Sequence, residues 1–394
     1  MQKLFVTIVL LFWILIVSGC AARQSGQLDT GKTYEAVGTV KFDEDSGEDV
    51  FEYKDGKIIR LSTLSPDNYA IRFDIGMAYL RKGERDAAIQ QWEKYLALAP
   101  DNSKSVSVRE RLTVLKIRQA TDFAKEAVKR GPGEDLENRL KTNTVAVLNF
   151  KNVATPDLIP FVKGLTAMVI TDLAKVPELR VVERVKMQAL MDEMRIGATG
   201  LVDPATACKA GQLLLARNIA WGEMGVSQKD DLQIVSIVTE TLNHQELGKT
   251  TIGRPRQEFF KLEKEIVFKI LDMLGLKKED LDPSVLKSLQ RIHTTNMRAF
   301  MSFGRGLHLL DQMQFAQASQ AFNNAVKLDP QFNSAHSAAQ STPRSGDVLK
   351  EGSSGSHTQQ RGQPRQPQTQ PQLPPVIVPA PAPVPRVPCP GPGW

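Results

Sequence analysis

The chain has 394 residues, a formal net charge of +6, 41% hydrophobic and 24% charged residues, and 6% aromatics. That length can hold two or three domains with a sizeable core, and the composition is ordinary for a globular protein. No Lys/Arg block forms a phosphate-binding stripe, which argues against a nucleic-acid partner. The three cysteines, Cys20, Cys208 and Cys389, show no CxxC pair and no histidine at ligand spacing, so no zinc, haem, other cofactor or disulfide framework is expected.

Residues 1–19 carry one positive charge, Lys3, and then an apolar run from Leu4 to Val17. The run is the length of a signal-peptide core and short for a membrane-spanning helix. It ends in Val17-Ser18-Gly19-Cys20, which resembles the bacterial lipobox. The resemblance implies cleavage before Cys20 and acylation of that cysteine, and two or more acyl chains hold a protein stably on a bilayer. An uncleaved anchor is the weaker alternative. Ala21 rather than Asp follows Cys20, which implies sorting to the outer membrane with the chain facing the periplasm.

Residues 20–68 read as a tether and entry segment, polar and Gly/Ser/Gln-containing at 21–36. Val50 to Tyr53 and Lys57 to Arg60 flank Asp55-Gly56, a hairpin signal. The acidic residues Asp43, Glu44, Asp45, Glu48 and Asp49 lack calcium-loop spacing, and a solvated turn is expected.

Residues 69–131 read as a helical unit. Gly76, Tyr79, Gly83, Ala88, Trp92 and Pro100 fall at the offsets of a tetratricopeptide repeat. In such a repeat the small residues let two helices approach, the aromatics fill the space around them, and proline ends the second helix. A helix at about 106–129 would cap the unit, because one repeat cannot bury its own faces.

Residues 143–283 alternate strand and helix patterns. The expectation is strand 144–150, helix 158–176, strand 179–184, helices 185–196 and 204–215, strands 218–226 and 232–242, and helix 258–274. The order implies a mixed sheet, parallel first and closed by an antiparallel pair. Phe161, Leu165, Met168, Val169, Leu173 and Val176 form one helical stripe, and Asp203-Pro204 is a cap and first-turn pair. Trp221 and the run 232–238 read as sheet core.

Val145 to Phe150, Gly164-Leu165, Thr171-Asp172-Leu173, Val181 to Arg184, Gly200 to Pro204 and Gly222-Glu223-Met224 together resemble the CsgG family. Those are outer-membrane lipoproteins of curli secretion. The resemblance implies a periplasmic α/β domain and a secretion or envelope context. Pore-forming members thread long amphipathic hairpins through the membrane. Here 225–231 reads as a tight turn and 248–258 as a strand-to-helix connector, and neither has room for a membrane hairpin, each strand of which needs roughly 9–11 residues.

Thr295 to Pro330 repeats the tetratricopeptide spacing through Gly306, Leu309, Ala318, Phe322, Ala325 and Pro330, so 295–340 reads as a second helical unit. It could pack on the first unit, on the central domain or on a partner. Residues 341–394 hold 13 of the 23 prolines and cannot build a packed core, so a disordered tail is expected.

No catalytic or metal-ligating set is legible. Glu183 and Arg184 would point to opposite faces of a strand, His244 lies in a turn, Cys208 reads as a small core residue, and Gly197, Gly200 and Gly211 form no phosphate loop. The fold class expected is α/β (α+β): a mixed-sheet domain flanked by tetratricopeptide-type hairpins. The function expected is that of a non-enzymatic envelope scaffold. It would reach the membrane through its N-terminal lipid, bind other envelope proteins, admit a homo-oligomer, and bind no nucleic acid. A curli-type secretion channel and an enzyme acting on envelope polymers are the alternatives.

Overall fold

The computed structural model describes residues 38–54, 56–61, 63–64, 68–196, 203–227, 229 and 231–344. Val17, Ser18, Gly19 and Cys20, the tether up to 37, Asp55, Gly197, Gly200 to Val202, the tail from 345 and Cys389 lie outside the described residues.

The first described element is a three-stranded antiparallel sheet of β1 (Gly38–Asp43), β2 (Glu48–Tyr53) and β3 (Ile58–Arg60). The expected pairing of 50–53 with 57–60 is present, with Phe51 opposite Ile59. Of the acidic run, only Glu44 and Asp45 fall in the β1–β2 turn, where Gly47 takes a φ of 68°, whereas Asp43 ends β1 and Glu48 and Asp49 begin β2. Three helices follow: α1 (Tyr69–Lys82), α2 (Arg85–Leu98) and α3 (Ser103–Arg130). Trp92, Phe73, Tyr95 and Phe51 close a core between this sheet and α1–α2. A short α4 (Leu136–Arg139) leads into the main domain.

The main sheet is β4 (Lys141–Val147), β5 (Lys151–Asn152), β6 (Arg180–Val181), β7 (Ala216–Val226), β8 (Asp231–Glu240) and β9 (Gln245–Pro255), in the order β6-β4-β7-β8-β9 with β5 beside β7. β6, β4, β5 and β7 run parallel, and β7, β8 and β9 antiparallel, which is the mixed sheet the element order implied. Two local expectations change. The strand expected at 179–184 is only Arg180–Val181, because Glu183 takes the helix N-cap position and Arg184 begins α6 (Arg184–Glu193). The connector expected at 248–258 is the body of β9, a polar edge strand whose only buried side chain is Ile252. With one half-covered face it lacks the apolar alternation that marks a strand.

Helices lie on both faces of the sheet. On one face are α5 (Ile159–Leu173) and α8 (Phe259–Met273), packed on Val147, Ala220, Met224, Ile234, Val238 and Ile252. The predicted stripe of α5 is buried throughout. On the other face are α6 and α7 (Pro204–Leu213) over Ala146, Leu148, Ile219, Trp221 and Ile237. Asp203 caps α7 by accepting from the Thr206 amide at 2.9 Å. The C-terminal half of α3 lies against α6, where Ala124 and Ala127 keep the contact close.

The chain ends in α9 (Pro283–Gln290), α10 (Met297–Asp311), α11 (Phe315–Leu328) and α12 (Asn333–Ser341). Hairpin α10–α11 shares one continuous core with the sheet domain. The rings of Phe161, Phe259 and Phe300 meet at centroid distances of 5.0, 4.7 and 6.3 Å, and Phe303 continues the cluster to Phe322 and Phe332. Helix α12 returns to α3, where the Thr113 hydroxyl donates to the Ser341 carbonyl at 2.8 Å. Described structure continues to Arg344, with Thr342 and Pro343 buried.

Candidate functional site

The two helical hairpins repeat one packing device. A Cβ on Gly76 would lie 2.2 Å from the Trp92 ring, and one on Gly306 would lie 2.5 Å from Phe322. Ala88, Ala318 and Ala325 are buried, and Leu309 packs at the edge of the core. The Trp92 indole donates to the Phe73 carbonyl at 3.1 Å. Tyr79 donates to Asp49 at 2.8 Å, and burial followed by the Asp49 contact pushes its phenol up. Pro100 and Pro330 each follow the second helix of their pair, and their carbonyls accept from Ser105 and His336. These residues therefore position helices and hold no reactive group.

Chemistry concentrates instead at the two ends of α5, where it crosses α10. The helices run antiparallel, with α5's N-terminal Lys163 beside α10's C-terminal Asp311. The crossing is close because Gly164 faces the Phe300 ring and Gly304 faces the Pro160 carbonyl, 1.8 Å from where a Cβ would stand. A small residue on each helix lets the backbones approach.

At the Lys163 end, Asp311 accepts from Lys163 and from Arg184, each at 2.8 Å. Lys163 also contacts Gln188, which accepts from Asn149 at 3.0 Å and donates to Asp192 at 2.8 Å. Burial alone would raise Asp311, but Arg184 and Lys163 outweigh it and hold the carboxyl below its ordinary range. Burial raises Asp192. Arg184, expected on a strand, makes this ion pair from the first turn of a helix.

At the other end, Asp172 is fully buried and accepts from Lys175 at 2.6 Å, Lys264 at 2.5 Å and His293 Nε2 at 2.9 Å. Burial would raise this carboxyl, but His293 and the two ammonium groups hold it well below the usual carboxylate range. Glu263 goes the other way: burial first, then the Asp172 charge, push it well above the ordinary range. Burial also lowers His293 against the pull of Asp172. Asp172, Glu263 and His293 bring one potential ligand atom each to within 4.8 Å of one another.

Neither cluster was legible as a motif, since each draws residues from elements far apart in sequence. One local signal was available. Glu263 stands on the Phe259, Leu262, Ile266, Ile270 stripe of α8, where a lone carboxylate among apolar positions requires a buried partner. Cys208 is a free, buried core residue and His244 is exposed in the β8–β9 turn, as expected. Gly211 packs against Thr241 and lines no phosphate site.

One sheet face is only half covered. Helices α6 and α7 shield the β4–β7 part, while Glu223, Gln233, Lys249 and Thr251 on the same face of β7, β8 and β9 are exposed. Strand β9 has β8 on one side and, among the described residues, no strand on the other. Two shallow surface hollows lie among the described residues, one at Lys141, Asn143, Glu178 and Arg180, and one at Glu84, Asp86, Asp122 and Lys186.

No curated protein matches the chain. Residues 135–225, which run from α4 through most of β7, match the family model described as curli production assembly/transport component CsgG, so this part of the sheet domain is similar to that family.

Proposed function

We propose that this protein is a periplasm-facing lipoprotein of the outer membrane, anchored through Cys20, and that it acts as a non-enzymatic scaffold in curli-related secretion or envelope assembly. The CsgG match supports the envelope and secretion setting. The scaffold reading rests on one observation. Strands β7, β8 and β9 are joined through 227–230 and 241–244, and β9 enters α8 through the single turn Arg256–Glu258. Each connection is far shorter than the roughly 9–11 residues of one transmembrane strand. The sheet thus extends no hairpin at these points and offers its open face and the β9 edge to a protein partner.

The absence of enzymatic activity is part of the same proposal. In support of this reading, the charged groups of both buried clusters pair largely with one another. Two helical units of tetratricopeptide-like spacing supply further surface for partner proteins.

The test is fractionation and cross-linking of envelopes carrying the wild-type chain or Cys20→Ser. The expected result is outer-membrane recovery and a cross-linked protein partner for the wild type, both lost in the variant. Stepwise conductance of the purified protein in liposomes, or a pore-bearing ring in electron micrographs, would overturn the scaffold reading in favour of a channel. Unchanged fractionation of Cys20→Ser would overturn the lipid anchor.

A further inference from the structure

We infer that Asp172, Glu263 and His293 form a binding site for a first-row divalent cation of the zinc type, in which the metal takes the place held by the Lys264 ammonium. The three residues come from α5, α8 and the link between α9 and α10, and their ligand atoms converge within 4.8 Å. Zinc–oxygen and zinc–nitrogen distances near 2.0–2.2 Å place tetrahedral ligands about 3.4 Å apart. Closing that gap requires side-chain rotation and no change of fold.

Two observations mark the spot as a cation position. The Lys264 Nζ sits between the carboxyls, 2.5 Å from Asp172 Oδ2 and 3.2 Å from Glu263 Oε2. The second Glu263 oxygen, Oε1, has no hydrogen-bond partner among the described residues although Glu263 is only 2% exposed. An unsatisfied buried carboxyl oxygen costs free energy, and a metal ion supplies the missing partner. The lysines, by contrast, have somewhere to go. Lys264 and Lys175 are 12% and 25% exposed at the rim, and long ammonium side chains turn readily toward solvent.

The donor set selects the metal. One imidazole and two carboxylates suit zinc, manganese or iron(II), and lack the thiolate or thioether that copper(I) favours. Calcium requires six to eight oxygens, and this set supplies too few. A bound divalent ion balances the two carboxylates and ties α5, α8 and the segment entering α10 together at one point.

The experiment uses tag-free full-length protein in detergent, stripped with chelator and titrated calorimetrically with zinc chloride alone. Metal content after gel filtration is read in parallel. The expected result is one zinc per chain, no calcium uptake, and at least about 10-fold weaker binding in Glu263→Gln and in His293→Ala, since even outer-shell losses cost about that much. Lys264→Met removes the competing ammonium and no ligand, so it is expected to bind zinc more tightly than wild type. No zinc uptake by the wild type, or equal uptake by wild type, Glu263→Gln and His293→Ala, overturns the site and leaves an internal ion-pair network. If Lys264→Met does not fold, the wild-type and Glu263→Gln titrations decide alone.

Discussion

Phe300→Ala is the sharpest probe of how the C-terminal hairpin belongs to the molecule. The ring is fully buried and meets Phe259 at 4.7 Å, Phe161 at 5.0 Å and the Gly164 backbone from above. Truncating a buried Phe to Ala costs about 3–5 kcal/mol, because the surrounding structure collapses only partly into the space left. With a urea m-value of about 3 kcal/mol/M, a loss of about 4 kcal/mol lowers the unfolding midpoint by about 1.3 M. Because the cavity opens between α5, α8 and α10, the loss is expected to appear in the sheet as well as in the hairpin. Hydrogen-exchange mass spectrometry across a urea series reads both: peptides from β7–β8 and from α10–α11 should shift together. If α10–α11 loses protection at low urea while β7–β8 keeps its wild-type midpoint, the hairpin is a separate module and the shared-core argument fails.

Further outcomes follow from the packing and the charges. Gly304→Ala sets a Cβ 1.8 Å from the Pro160 carbonyl, so the helices must separate, with an expected loss of about 1–3 kcal/mol or more in chemical denaturation. Asp311→Asn leaves Lys163 and Arg184 buried without their carboxylate and is expected to cost about 3–5 kcal/mol at pH 7. Asp311 is held below its ordinary range, so its contribution is present above about pH 4 and disappears as pH falls through the depressed native value. The gap between wild type and Asp311→Asn in urea midpoints should therefore be full at pH 5–7 and narrow below about pH 4. A gap that stays constant down to pH 2.5 would contradict the assignment. Gly76→Ala drives a Cβ into the Trp92 ring, and hydrogen exchange should show α1–α2 loosened while β7–β8 amides keep their protection, because the two cores are separate.

What could be read in the sequence depended on the range of the interaction. The α5 stripe, the Asp203 cap and strands β7 and β8 follow from local periodicity and turn chemistry, and they are where the pattern placed them. Strand β9 was hidden because an edge strand with one half-covered face needs few apolar residues. The β6–α6 boundary was hidden because the branched pair Val181-Val182 looks like a strand that continues, whereas Glu183 and Arg184 turn the chain into a helix. The buried clusters were hidden for a different reason. His293 meets Asp172 and Asp311 meets Lys163 across long stretches of chain, and no spacing rule links residues that only tertiary packing brings together.

The hydrogen bond from Thr113 to Ser341 and the aromatic cluster that begins at Phe161 and ends at Phe332 have a consequence for the order of folding. Helix α5 is covered by α10, on which α11 packs and then α12, and these are the last described elements in chain order. Until they arrive, Phe161 and Phe259 have no cover, and the Lys163 and Arg184 charges lack Asp311. Long-range contacts of this kind delay the rewarding steps of folding until loop-closure entropy has been overcome. Synthesis runs from the N-terminus, yet the contacts that complete this core come from the C-terminal end, so the core closes only after the last helices are made.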